Sequence, residues 1–237
     1  MKDNFVKFSW GKVSSIMCSV ALVVLLASCL DDDDRQTQPV SVAYVSIYHE
    51  SPDAPELDVL VDNKTINRLD FTDYTGYLNF YTGDRNLTIN PFNASNALVD
   101  TTINFVDGAF YSVFIVNDLS SVETLVVRDS ASSPASGKAK VRFINLSPDA
   151  PALDLAADAD SIPVFTGQAF KEPSEFVEVD AKEYSFDVKT SGTAEPLVSV
   201  SDIDLRSDNF YTIITRGFAN PPSGNNNNLS VEVIRNQ

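Results

Sequence analysis

The pentapeptide SPDAP stands at Ser51–Pro55 and again at Ser147–Pro151, and no other feature limits the fold as strongly. Around it the chain repeats itself: "VSIYHESPDAPELDV" aligns with "VRFINLSPDAPALDL" at an offset of 96 residues. Further on, "DGAFYSVFIV" answers "SDNFYTIITR" at an offset of 100. A period this long exceeds that of a solenoid and points to whole duplicated domains. The small-residue stretch from Asp129 to Ala139 marks the break. The organisation expected is a domain over residues 40–129, a linker over 130–137 and a second domain over 138–237.

Within each copy the pattern is that of strands. Ala43, Val45, Ile47 and His49 alternate onto one face, and Ala139, Val141, Phe143 and Asn145 do so in the second copy. "LDVLVD", "YLNFY", "NLTINP", "LVDTTINFV", "AFYSVFIV" and "ETLVVR" are short, β-branched or aromatic, and set apart by Gly, Asn or Asp. About seven such strands per copy predict an all-β chain of two tandem immunoglobulin-like β-sandwiches. "NPPSGNNNN" at 220–228 reads as a polar loop between the last two strands.

The SPDAP turn has its own logic. Proline at its second place presets φ, and aspartate suits the third place of a type I turn. Ala54 and Ala150 precede prolines and are pushed into extended geometry, which aims the chain into the next strand. Ser51, Pro52, Asp53 and Pro55, with Ser147, Pro148, Asp149 and Pro151, are therefore expected to act as shape-setting residues. Pro55 has no N–H for Asp53, whose carboxylate is expected on Glu56 N–H or His49, while Ser51 accepts from the N–H of Asp53 or Ala54.

The amino-terminal residues read as an address. Lys2, Lys7 and Lys12 precede an apolar run, Ile16 to Ala27, shorter than the about 20 residues a spanning helix needs. The pattern fits a signal peptide over residues 1–28. "LASC" at 26–29 resembles the lipobox of bacterial lipoproteins, which implies that Cys29 is lipidated and that the signal is removed before it. Residues 29–39 then form an acidic tether. Its run Asp31, Asp32, Asp33 and Asp34 resembles the surface-export signal of lipoproteins in some Gram-negative groups. Together these resemblances imply an outer-membrane lipoprotein facing outward. The two cysteines are Cys18 and Cys29, so after processing no disulfide is available and stability rests on buried core. Losing the signal's net +2 takes the chain from −16 to −18, a charge that repels nucleic acid and anionic headgroups. Membrane contact is then expected through the lipid alone.

The strand, the His or Asn two residues before SPDAP and the "VDV"-like strand after it resemble the bacterial family called domain of unknown function 4397. The resemblance extends over nearly all of residues 40–237. It implies an immunoglobulin-like fold and a cell-envelope location, and it brings no catalytic residues.

No enzyme is expected. His49 is the sole histidine and has no GxSxG nucleophile to serve; Asn145 at the equivalent place points to hydrogen bonding rather than general-base work. One histidine without a thiol cannot build the usual zinc sets, and no cofactor is implied. Asp58 with Asp62, Asp154 with Asp158, and Asp160 raise the question of calcium, but no EF-hand-type loop is present and a solvated face is the expectation. Nothing singles out the carboxylate pair a glycoside hydrolase requires. The remaining candidate is a binding surface. "FTDYTGYLNFYTG" gathers Phe71, Tyr74, Tyr77, Phe80 and Tyr81, where the second copy offers Phe165, Phe170 and Phe176. Tyr74, Tyr77 and Tyr81 are the candidates for contact with a partner protein or glycan. The function expected is adhesion or assembly at the envelope, with glycan capture and an acid-pair surface hydrolase as the alternatives.

Overall fold

The computed structural model describes residues 40–129, 132–158 and 163–236. The signal peptide, Cys29, the tether with Asp31 to Asp34, the first two linker residues and Asp160 lie outside them. The fold below is that of Ser41–Gln237, one compact unit. It is all-β, built as two β-sandwiches, each of two four-stranded sheets.

The first sandwich holds β1 (Val42–His49), β2 (Leu57–Val61), β3 (Lys64–Leu69), β4 (Leu78–Tyr81), β5 (Gly83–Pro91), β6 (Val99–Phe105), β7 (Phe110–Val116) and β8 (Glu123–Arg128). One sheet runs β4-β1-β7-β8 and the other β3-β2-β5-β6. The second sandwich repeats this with β9 (Lys138–Asn145), β10 (Leu153–Ala157), β11 (Phe165–Gln168), β12 (Val177–Asp180), β13 (Glu183–Thr190), β14 (Pro196–Asp204), β15 (Phe210–Arg216) and β16 (Ser230–Asn236). Its sheets are β12-β9-β15-β16 and β11-β10-β13-β14. In each copy the first and seventh strands pair in parallel, Val45 beside Tyr111 and Val141 beside Tyr211.

Among the described residues each copy thus has eight strands rather than about seven. The strand the pattern omits is β3, an edge strand whose sequence KTINRL is exposed at half of its positions and lacks an apolar alternation. It forms because the Asp62–Asn63 turn, with both residues at positive φ, folds it back on β2.

Each sandwich encloses its own core. Val45, Ile47, Leu57, Val59, Ile89 and Val113 form the centre of the first; Val141, Phe143, Leu155, Phe186, Val188 and Ile213 that of the second. A third core lies between the sandwiches. Tyr48, Phe114, Val116 and Val127 from the β4-β1-β7-β8 sheet meet Ile144, Leu146, Ile214 and Ile234 from or beside the β12-β9-β15-β16 sheet. This unit is therefore a stack of four sheets, and the central strands of its two inner sheets are buried on both faces. Full burial of such side chains contributes about 1.5–3 kcal/mol each, so the sandwiches are joined by more than their linker.

The loop at 220–228 reinforces this seam. Asn225 and Asn227 side-chain amides donate to the Pro52 carbonyl of the first copy, at 3.0 and 2.6 Å. The loop begins at Gly217, whose φ is +82° and whose missing Cβ would lie 2.3 Å from the Asn228 carbonyl oxygen. Only glycine fits there.

Candidate functional site

The two SPDAP turns share one construction. Ser51 N–H donates to His49 Nδ1 at 3.3 Å, so Nε2 carries the proton and donates to the Pro55 carbonyl at 3.2 Å. In the second copy Ser147 N–H donates to Asn145 Oδ1 at 3.1 Å, and Asn145 Nδ2 donates to the Pro151 carbonyl at 3.2 Å. Histidine and asparagine do the same work, one acceptor and one donor across the turn. Burial holds the His49 imidazole below its ordinary pKa, in the neutral form this arrangement needs.

The aspartates of the turns reach further than local rules suggest. Asp53 accepts the Leu119 N–H at 2.7 Å rather than bonding Glu56 or His49. Asp149 accepts the N–H groups of Ala219 and Asn220, both at 2.7 Å. Ser51 donates to the Asn117 carbonyl at 2.6 Å instead of accepting from Asp53 or Ala54. In both copies the turn after the first strand is tied to the turn after the seventh, because the parallel pairing brings those strand ends together.

The carboxylates considered for calcium have other occupations. Asp58 accepts from Arg68 Nε at 2.9 Å, and Asp62, past the end of β2, accepts from Asn86 N–H and Arg85 Nη1. Asp154 accepts the N–H groups of Gly167 and Gly192, and Asp158 accepts from Ser185 N–H and Lys182.

The three tyrosines do not form one surface. Tyr81 is exposed on β4, beside the open edge of the first sandwich. Tyr77 is partly buried, and its hydroxyl donates to Asp129 Oδ2 at 2.7 Å. Tyr74 is 63% exposed and stacks on buried Tyr48, with ring centroids 5.4 Å apart. Tyr74 and Tyr77 both face the seam.

At the middle of the seam is a buried ion pair. Arg142 Nη2 donates to Asp129 Oδ1. Asp129 Oδ2 accepts from Tyr77 and from Ser112 Oγ, and Arg142 also donates to Thr212 Oγ1 at 2.8 Å and to the Arg128 carbonyl at 2.9 Å. Burial and the Asp129 charge both push the Tyr77 phenol above its ordinary pKa.

One end of the seam opens into a cleft of about 360 Å3. Its floor and walls include Ser46, Tyr48 and Glu50 from the first copy and Arg216, Glu232 and Ile234 from the second, with Tyr74 at the rim. Arg216 Nη1 lies 3.5 Å from Glu50 Oε1, and Nη2 lies 3.0 Å from Glu232 Oε2. The Glu50 side chain is 1% exposed, and burial pushes its pKa up to about 8 against the pull of Arg216. Ser46 Oγ, Glu50 Oε2 and Arg216 Nε, all in the cleft lining, are buried without a hydrogen-bond partner among the described residues. Burial likewise pushes the Tyr48 phenol up to about 12.

The repeat supplies an internal control for this cleft. Strand registers equate Tyr48 with Ile144, Glu50 with Leu146, Arg216 with Val116 and Glu232 with Leu125. Thr75 and Ser174 make the same side-chain bond to the first strand of their copy, which equates Tyr74 with Pro173. At the other end of the seam, therefore, every one of these chemical groups is apolar. Ile144, Leu146 and Val116 are fully buried in the third core, with Leu125 packed against it, and none lines the groove that remains there between Arg128, Lys140 and Phe176. The Glu50–Arg216–Glu232 cluster is present at one end only; Ser46 of the cleft answers to Arg142, which lines the groove at the other end.

Glu50, Arg216, Glu232 and Tyr48 are absent from the sequence-level candidates. The signal was "YHE" against "INL" just before SPDAP, a polar residue set against an apolar one at matched positions of a duplicated strand.

Several solved carbohydrate-binding modules are similar at a low level. A streptococcal virulence factor module described for α-glucan binding is 11% identical, with a TM-score of 0.26, over 71% of this chain and 92% of that one. A family 26 module from Eubacterium rectale, solved with maltoheptaose, is 12% identical at a TM-score of 0.24 over 82% of this chain and 97% of its own. Nothing of their ligands is carried over to this chain. No curated protein matches it. Residues 43–156, from β1 through the second SPDAP turn into β10, match the family model described as Domain of unknown function (DUF4397).

Proposed function

We propose that this chain is a non-catalytic binding protein of the bacterial envelope, held at the outer membrane by lipid on Cys29 and carried outward by Asp31 to Asp34. It captures a ligand in the open end of the seam and so serves adhesion, assembly or glycan capture. No helix among the described residues is long and apolar enough to cross a membrane.

The observation that carries the reading is the one-sided chemistry of the seam. Glu50 occupies a position that Leu146 fills in the other copy, and a buried acid there lowers stability at neutral pH. Retaining it, together with three polar atoms unpartnered among the described residues, fits a site kept for binding rather than for folding.

An acid-pair hydrolase gains one observation, since Glu50 and Glu232 share the cleft. Both are bonded to the same guanidinium. Arg216 thus stands between the two carboxylates, where a glycosidic bond would have to lie. Capture without cleavage is the better fit.

The test converts the open end into a copy of the other. Cells displaying Glu50→Leu, Arg216→Val, Glu232→Leu protein should lose adherence to surfaces coated with envelope polysaccharide or protein, at display levels equal to wild type. Equal adherence would place the binding elsewhere, and release of reducing ends by the wild type would make the cleft an active site.

A further inference from the structure

We infer that the ligand of the seam cleft is an uncharged saccharide, taken through one sugar face on Tyr74 and an adjacent pair of hydroxyls on Glu50 and Arg216. This rests on the reading of the cleft as a binding site and narrows it to a ligand class.

Three features select that chemistry. The first is the aromatic platform. Tyr74 is held in place by stacking on Tyr48, which itself stacks on Phe114 at 4.9 Å, so an exposed ring is backed by two buried ones. Such a ring offers a flat apolar surface with little entropy left to lose, suited to the C–H face of a pyranose. The second is the orphaned atoms, of which the two on charged side chains are the more demanding. Arg216 Nε–H can only donate, while Glu50 Oε2 accepts when ionised and donates when protonated. A hydroxyl is the group that both accepts and donates, so two neighbouring hydroxyls satisfy the pair in either state of Glu50.

The third feature is charge. An anionic ligand would meet Glu232 at the rim and a chain of net charge −16. An ammonium ligand would meet Arg216, whose charge already faces Glu50 and Glu232. A neutral polyol pays neither penalty. The cleft volume of about 360 Å3 lies near the small end of ligand pockets, about 300–1,000 Å3, so it takes a short stretch of sugar.

The experiment is calorimetry on the purified lipidated protein in detergent, titrated with uncharged gluco-, manno- and xylo-oligosaccharides, with an oligogalacturonate and with an uncharged hexapeptide. At least one neutral oligosaccharide should bind. Tyr74→Ala should weaken it by about tenfold or more, as loss of an aromatic anchor does. Tyr74 is exposed and gives up only its stacking on Tyr48, so this variant should remain folded and melt within a few degrees of wild type. Glu50→Leu should abolish binding while melting above wild type at pH 8, an outcome that a merely structural Glu50 would not give. Binding of the oligogalacturonate or the peptide instead, lost in Tyr74→Ala, would overturn the saccharide assignment and leave the cleft standing. Binding that neither variant alters, or no binding by any probe, would overturn the cleft itself.

Discussion

Arg142→Met tests whether the seam is one cooperative structure. The substitution keeps much of the side-chain volume but leaves Asp129, fully buried, with a carboxylate bonded to Tyr77 and Ser112 alone among the described residues. Removing one partner of a buried pair costs about 3–5 kcal/mol, because the remaining charge is uncompensated. For about 200 residues this corresponds to about 2–4 °C of melting temperature per kcal/mol. Adding Asp129→Asn removes the orphaned charge while keeping an acceptor for Tyr77 and Ser112, so the double variant should regain most of the loss. It should not regain all, since Thr212 and the Arg128 carbonyl still lack the guanidinium. Urea unfolding followed by far-ultraviolet circular dichroism measures all four corners of the cycle. Wild type should unfold in one transition despite its two sandwich cores. A single-variant cost below about 1 kcal/mol, or a double variant less stable than Arg142→Met, would refute the account of the seam as a satisfied buried network.

His49→Asn, which copies the second turn, should cost less than about 1 kcal/mol at pH 7.5, since both hydrogen bonds are kept. The folded pKa of His49 lies below its unfolded value, so its contribution is complete above about pH 6.5 and is lost as pH falls, by up to about 1.4 kcal/mol per pH unit. Urea melts at pH 5 and 7.5 should therefore show the asparagine variant gaining on wild type in acid; an unchanged difference would contradict the neutral, buried histidine. Asp53→Ala and Asp149→Ala each remove a carboxylate from backbone N–H groups of the opposite turn and should cost about 1.5–3 kcal/mol, with the larger loss at Asp149, which accepts two. Calcium or chelator should leave the wild-type melting curve in place, and a calcium-dependent rise absent from both variants would make the turns metal sites. Cys29→Ser should move the protein to the aqueous phase in detergent partitioning with its melting temperature unchanged; persistence in the detergent phase would require another membrane element.

The strands were legible where one face was buried and the other was not, as in β5, and where turn residues set their ends. The SPDAP turns were legible in kind but not in partner. Asp53 and Leu119 are far apart in sequence, and only the parallel β1–β7 pairing brings them together. The seam was the largest omission, although "FYSVFIV" held its sign. A run apolar at nearly every position belongs to a strand covered on both faces, and β7 is such a strand. Alternation along β1 drew attention to Ala43, Val45, Ile47 and His49 and left Ser46, Tyr48 and Glu50 as the outward face. In the folded chain that face is equally buried, and it carries the cleft.

The seam joins like to like: Tyr48 with Ile144, Phe114 with Ile214 and Val127 with Ile234 are matched positions of the two copies, which is the form of a two-fold homodimer interface. A homodimer must carry every substitution twice, once on each side of its axis. An acid introduced to build a cleft at one end would appear at the other as well, with its burial penalty doubled. Joining the two copies in a single chain lifts that constraint. One end can stay packed with Ile144, Leu146 and Val116 to hold the molecule together, while the other gives up packing for Tyr48, Glu50 and Arg216. Duplication here divides labour between stability and recognition within one interface.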